Sequence, residues 1–112
     1  MFVTTFYSYK GGVGRTMALT NVAALLARDG KRVLLVDFNL EAPGIPSYGP
    51  FAQARGMAGL VDFVHEYRST MQSPDVADFI VRCELESGEP LWVMPAGDNT
   101  SSSYEERLAS ID

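Results

Sequence analysis

Apolar and polar positions change period several times along the chain, and each change marks an element. The opening run "FVTTFYS", Phe2 to Ser8, is β-branched and aromatic and leads into a glycine cluster, which predicts a strand ending in a turn. From Thr16 the period becomes helical. In "TMALTNVAALLARDG" the residues Met17, Leu19, Ala23, Leu26 and Ala27 fall on helical spacings, and Gly30 supplies the stop after Arg28 and Asp29. "KRVLLVDF" then carries an unbroken apolar core, Val33 to Val36, the pattern of a strand buried on both faces. Strand, helix and strand in that order predict a right-handed βαβ unit with parallel strands.

Downstream, "NLEAPGIPSYGP" is dense in proline and glycine and reads as an irregular loop at the carboxyl end of the second strand. "GLVDFVHEYR" places Leu60, Val61, Phe63, Val64 and Tyr67 at helical spacing, and "SPDVADFIVRC" opens on serine and proline, which predicts a second short helix. "PLWVMPAG", Pro90 to Gly97, predicts a third strand broken by Pro95, with Trp92 in the core. "SYEERLASI" predicts a closing amphipathic helix capped by Ser103 or a neighbouring serine, after the polar loop "NTSSS". No internal repeat is visible.

Composition narrows the class. A chain of 112 residues with 46% hydrophobic content is one globular domain at most, or part of one. With 9 basic against 14 acidic residues the net charge is −5, so a general electrostatic grip on nucleic acid is not supported and any phosphate must be held locally. The apolar runs are too short to span a bilayer, and the amino terminus lacks a charged segment followed by a long apolar run; a cytoplasmic location is the expectation. Cys83 is the only cysteine, which excludes an internal disulfide and predicts a half-buried small apolar residue in the stretch Phe79 to Cys83. His65, with no paired ligand residue, is expected on the surface of its helix.

The chemistry concentrates in "YKGGVGRT", Tyr9 to Thr16. Glycines at 11, 12 and 14 let the backbone turn sharply and aim its N–H groups inward, and the helix that begins near Arg15 adds the positive end of its dipole. Together these form an anion nest for phosphates. The loop leaves a strand, enters a helix and ends in a basic residue and a hydroxyl, the context required of a phosphate-binding loop.

"KGGVGRT" followed by "VLLVDFNLEAPG" resembles the deviant P-loop of the ParA and MinD family of ATPases, whose pattern is Lys-Gly-Gly, two residues, Lys and Ser or Thr. The likeness is close as far as Gly44 and loose beyond. It implies an α/β fold, a P-loop NTPase three-layer sandwich on a parallel sheet, of which residues 1–112 are the front part of the nucleotide-binding domain. The later strand, ending in an aspartate that completes the magnesium site, is expected to be missing. ATP and Mg²⁺ are the implied ligands. Lys10, Gly11, Gly12, Val13, Gly14, Arg15, Thr16 and Met17 surround the nucleotide on this reading. Lys10 corresponds to the signature lysine that reaches the nucleotide of the opposite subunit, which implies a homodimer in the ATP state, with further domains or a partner protein. Arg15 stands at the lysine that contacts the terminal phosphates, Thr16 at the hydroxyl on Mg²⁺, and Asp37 at the first acidic position after the second strand.

Two positions depart from that pattern. Arg15 keeps the charge and can donate two hydrogen bonds to phosphate, but is longer and flat where an ammonium is compact. Asn39 occupies the second acidic position, whose carboxylate orients the attacking water in the family; an amide can hold a water but cannot accept its proton. The leading expectation is therefore an ATP-dependent dimerisation switch that hydrolyses slowly, with Lys10, Arg15 and Asn39 at the chemistry. The alternative is a nucleotide-sensing module without useful turnover, and a kinase or synthetase would need an acceptor pocket that the sequence does not display. Asp37 read without the resemblance is a strand-end cap. Glu41 is either a solvated loop residue or a stand-in carboxylate, and Asp98 or Asn99 either approaches the nucleotide or belongs to a plain connection.

Overall fold

The computed structural model describes residues 1–6, 14–39, 43–98 and 101–111. Three helices are built on the expected segments: α1 (Arg15–Arg28), α2 (Leu60–Thr70) and α3 (Ser102–Ala109). α1 ends because Gly30 takes the left-handed conformation at φ 84°. There the Gly30 N–H reaches the Ala27 carbonyl at 3.0 Å and the Lys31 N–H the Leu26 carbonyl at 3.0 Å, a Schellman closure that satisfies the last carbonyls. α3 is capped by Ser101, whose hydroxyl accepts the Ser103 N–H at 3.3 Å.

The sheet is α/β in class but mixed in direction. β1 (Leu34–Val36) runs parallel to the central β3 (Pro90–Met94), pairing Leu35 with Val93, while β2 (Val81–Glu84) runs antiparallel on the other side, pairing Cys83 with Leu91. The expected all-parallel sheet is corrected by β2. "SPDVADFIVRC" is not a second helix: a 3₁₀ turn, Val76–Phe79, capped by Asp75, gives way to a strand. Val81 and Cys83 face inward while Arg82 and Glu84 face solvent, and the chain returns through a turn at Gly88, φ 97°. That alternation, followed by a glycine turn, is a hairpin.

The expected first strand is also corrected. Residues 1–6 form no strand, and Met1, Phe2 and Val3 are exposed; Tyr7 and Ser8 lie outside the described residues. β-branched composition does not make a strand without a hydrogen-bonding neighbour, so no βαβ unit is closed among the described residues.

One face of the sheet, with Leu35, Cys83, Leu91 and Val93, packs against Ala23 and Ala27 of α1 and against Ile45 and Phe51. The proline-rich segment is thus not a bare loop but two 3₁₀ turns, Ile45–Ser47 and Gly49–Ala54, that supply core. The opposite face is more open. Leu34 is 50% exposed and Trp92, on the same face, is only half-buried, so neither expected burial, of β1 on both faces or of Trp92 in the core, is met. α1 likewise buries a stripe of small residues, Thr20, Ala23 and Ala27, rather than Met17 and Leu26. Cys83 is fully buried in the core rather than half-buried as expected, and burial pushes its thiol pKa up. His65 is half-buried. A second cluster joins Val61 of α2, Ala96 and Tyr104 of α3.

Candidate nucleotide site

Because β1 and β3 are parallel, their carboxyl ends open on the same side, where ligands gather in such sheets. The start of α1 lies there too. Gly14 holds the N-cap position at φ 80°, a conformation that costs a residue with Cβ about 1–2 kcal/mol. As glycine it brings no capping side chain, and no acidic residue stands in the first turn. This is the helix start that an anion site uses. The Thr20 hydroxyl, one turn on, is satisfied by the Thr16 and Met17 carbonyls, each at 3.0 Å.

Asp37 follows β1 directly. Its N–H donates to the Met94 carbonyl at 3.0 Å, continuing the parallel ladder, and its side chain is 4% exposed. The carboxylate is held by three backbone donors. Oδ1 accepts the Asn39 N–H at 3.1 Å, and Oδ2 accepts those of Gly44 and Ile45 at 3.2 and 3.3 Å. Burial raises the Asp37 pKa above the ordinary value; these hydrogen bonds and the positive charge of Arg15 pull the other way without reversing the direction. Thr16 packs at the same place: a Cβ added to Gly44 would meet its hydroxyl oxygen at 3.4 Å. Thr16 and Asp37 therefore meet at Gly44, and Arg15, at the start of α1, lies near enough for its charge to act on Asp37. Asn39 is half-buried beside them, and Met17 points away at 53% exposure.

Lys10, Gly11, Gly12 and Val13 lie outside the described residues, as do Glu41 and Asn99. Asp98 is half-buried, and its carbonyl accepts the Ser101 N–H at 3.2 Å. Sequence reasoning missed the clasp on Asp37. Its signal was the glycine of "LEAPG": a small residue lets the chain turn back so that two successive N–H groups meet one carboxylate oxygen. It also missed Gly59, which allows the start of α2 to lie against the end of β3, with the Leu60 and Val61 N–H groups on the Pro95 and Ala96 carbonyls at 2.8 and 2.9 Å.

A cationic, hydroxyl-bearing helix start set against a buried carboxylate at the end of a parallel strand pair is the layout of a nucleotide-binding α/β domain. Residues 4–82 match the CobQ/CobB/MinD/ParA nucleotide binding domain. The chain belongs to this family. It is 34% identical over 93 residues to an uncharacterized ATP-binding protein of Methanocaldococcus jannaschii, covering 83% of this chain and 32% of that protein. Its identity to the chromosome-partitioning ATPase Soj of Thermus thermophilus is 39% over 75 residues, 60% of this chain and 30% of Soj. With protein virC1 of Rhizobium radiobacter it shares 51% over 43 residues, 38% of this chain and 19% of that protein. The chain thus spans about a third or less of the length of these relatives. No solved structure matched. Among the described residues no helix is long and apolar enough to cross a membrane.

Proposed function

We propose that the protein is an ATP- and Mg²⁺-dependent ATPase that uses nucleotide binding to switch between monomer and dimer. The observation that carries this reading is the convergence of Arg15, Thr16 and Asp37 at the carboxyl end of the β1–β3 pair, in a chain whose relatives are named as ATP-binding proteins and an ATPase. The glycine-rich stretch before α1 and the amides of Arg15, Thr16 and Met17 hold the phosphates, and the Arg15 guanidinium neutralises the terminal ones. Lys10 reaches the nucleotide of the second subunit, and Asn39 faces the attacking water.

The donor set suits Mg²⁺, which takes oxygen ligands and is usually held by one or two carboxylates together with phosphate oxygens and waters. Thr16 offers a hydroxyl. Asp37 offers Oδ1, which accepts a single backbone N–H and keeps lone-pair capacity. No cluster of three metal-binding side chains gathers among the described residues, so these two would hold the ion with the nucleotide's own oxygens. Bound there, the ion would neutralise charge on the transferring phosphoryl group.

Turnover on this reading is slow, because an amide at position 39 holds a water without accepting its proton. Asn39 equally favours the second reading, a nucleotide sensor without useful hydrolysis. Single-turnover hydrolysis on the full-length protein separates them. Asn39→Asp is expected to raise the rate at least about tenfold with ATP affinity little changed, since a positioned carboxylate contributes about a hundredfold or more in an intact site. Arg15→Lys, alone and combined with Asn39→Asp, completes a double-mutant cycle. If neither single nor double replacement changes turnover, the water is handled by another group, Glu41 being the first to test, or the protein is a sensor rather than an ATPase.

A further inference from the structure

Asp37 is supported from behind by residues outside the phosphate loop. Its N–H is anchored on the Met94 carbonyl, and the next residues, Pro95, Ala96 and Gly97, are all buried. Their path is dictated by α2 and α3. The first N–H groups of α2 take the Pro95 and Ala96 carbonyls, and the backbones approach so closely that a Cβ at Gly59 would stand 1.9 Å from the Pro95 oxygen. Asp62, in the first turn of α2, accepts the Gly59 N–H at 2.8 Å through Oδ2 and pairs with Arg107 of α3 through Oδ1. Gly97, at φ 147°, lies under the Tyr104 ring; a Cβ there would meet ring carbons at 2.9 and 3.1 Å and the Asp62 carboxylate at 3.1 Å.

We infer that Tyr104, locked in place by the Asp62–Arg107 pair, is a positioning residue for Asp37: its ring presses residues 95–97 onto the start of α2, and this fixes the Met94 carbonyl on which Asp37 hangs. The burial of Tyr104 and its closeness to both acids agree with this placement, since its phenol is pushed up by desolvation and then by the charges of Asp37 and Asp62. Neither Gly59 nor Gly97 has room for a side chain: a Cβ at the first would meet the Pro95 carbonyl, and at the second the Tyr104 ring. A carboxylate destined for a hydrated cation needs such support, because the three amides that clasp it, those of Asn39, Gly44 and Ile45, lie outside the sheet. The inference rests on the assignment of Asp37 to the Mg²⁺ side of the nucleotide site.

The test uses the full-length protein with Tyr104→Leu, Arg107→Met and Arg107→Lys, read in two ways. Hydrogen exchange of the ligand-free protein reports on residues 37–46, and nucleotide affinity is measured with and without Mg²⁺. Tyr104→Leu and Arg107→Met are expected to speed exchange in 37–46 while α1 keeps its protection, and to reduce the Mg²⁺-dependent gain in affinity about tenfold, the usual scale for a lost supporting partner. Mg²⁺-free affinity should hold, and Arg107→Lys should restore most of the gain. A purely structural role would instead speed exchange everywhere alike. Unchanged exchange in 37–46, or an unchanged Mg²⁺ gain in folded variants, overturns the inference. If Tyr104→Leu does not fold, Arg107→Met decides, because that side chain is 40% exposed. Should the unmodified protein gain no affinity from Mg²⁺, the assignment of Asp37 fails instead, and exchange alone still decides the coupling.

Discussion

Asp37 meets two opposed demands. On the proposed Mg²⁺ role its carboxylate should be ionised, yet it is buried, and burial favours its neutral form. Three amides and the Arg15 charge offset part of that cost. The folded protein therefore binds the Asp37 proton more tightly than the unfolded chain does. The sign follows: this residue's contribution to stability is greatest below the ordinary aspartate value of about 4 and declines as pH rises through the window up to its raised value. Denaturant unfolding between acid and neutral pH should show that decline, and Asp37→Asn should flatten it. The comparison concerns slope, since an amide set against three N–H donors carries a pH-independent cost of its own. A variant whose slope equals that of the unmodified protein would place the titration elsewhere. A raised carboxylate pKa was not legible in "VDFN", because it depends on the burial that Gly44 and Ile45 complete from beyond the turn.

At the scale of elements, the helices were legible because each carries local signals: a 3.6-residue period, Gly30 as a stop, a serine as a cap. β2 was not, because Ser73 and Pro74 imitate a helix start, and only the alternation from Val81 to Glu84 and the turn at Gly88 identify a hairpin. The contact of α2 with the end of β3 offers a sharp check. Gly59→Ala should destabilise by about 3 kcal/mol or more, combining overpacking with the loss of two backbone hydrogen bonds. Gly30→Ala, where an added Cβ meets nothing within 4 Å, should cost only the left-handed conformation, about 1–2 kcal/mol. Equal shifts in unfolding midpoint for the two would contradict the close approach of α2 and β3.

For the whole molecule, the proposed switch is a question of two copies. Lys10→Ala should leave nucleotide binding by the monomer largely intact and abolish ATP-dependent dimerisation of the full-length protein, because its ammonium is assigned to the partner's nucleotide. Size-exclusion chromatography with a non-hydrolysable ATP analogue reads this directly; dimers that persist unchanged would remove Lys10 from the switch.

What the sequence by itself determined was local chemistry and local period: a glycine-rich turn before Arg15 and Thr16, an acid closing an apolar run at Asp37, three helices, and the family to which such a pattern belongs. These are legible because each depends on residues a few positions apart. Only the tertiary structure decided that Gly44 and Ile45 clasp Asp37, that β2 enters antiparallel, that residues 1–6 stay outside the sheet, and that Gly59, Gly97 and Tyr104 meet behind the site. Each of those depends on which distant segment fills the space beside a residue, and strand partners and close backbone approaches are chosen by packing across the fold rather than by the residues that precede and follow in the chain.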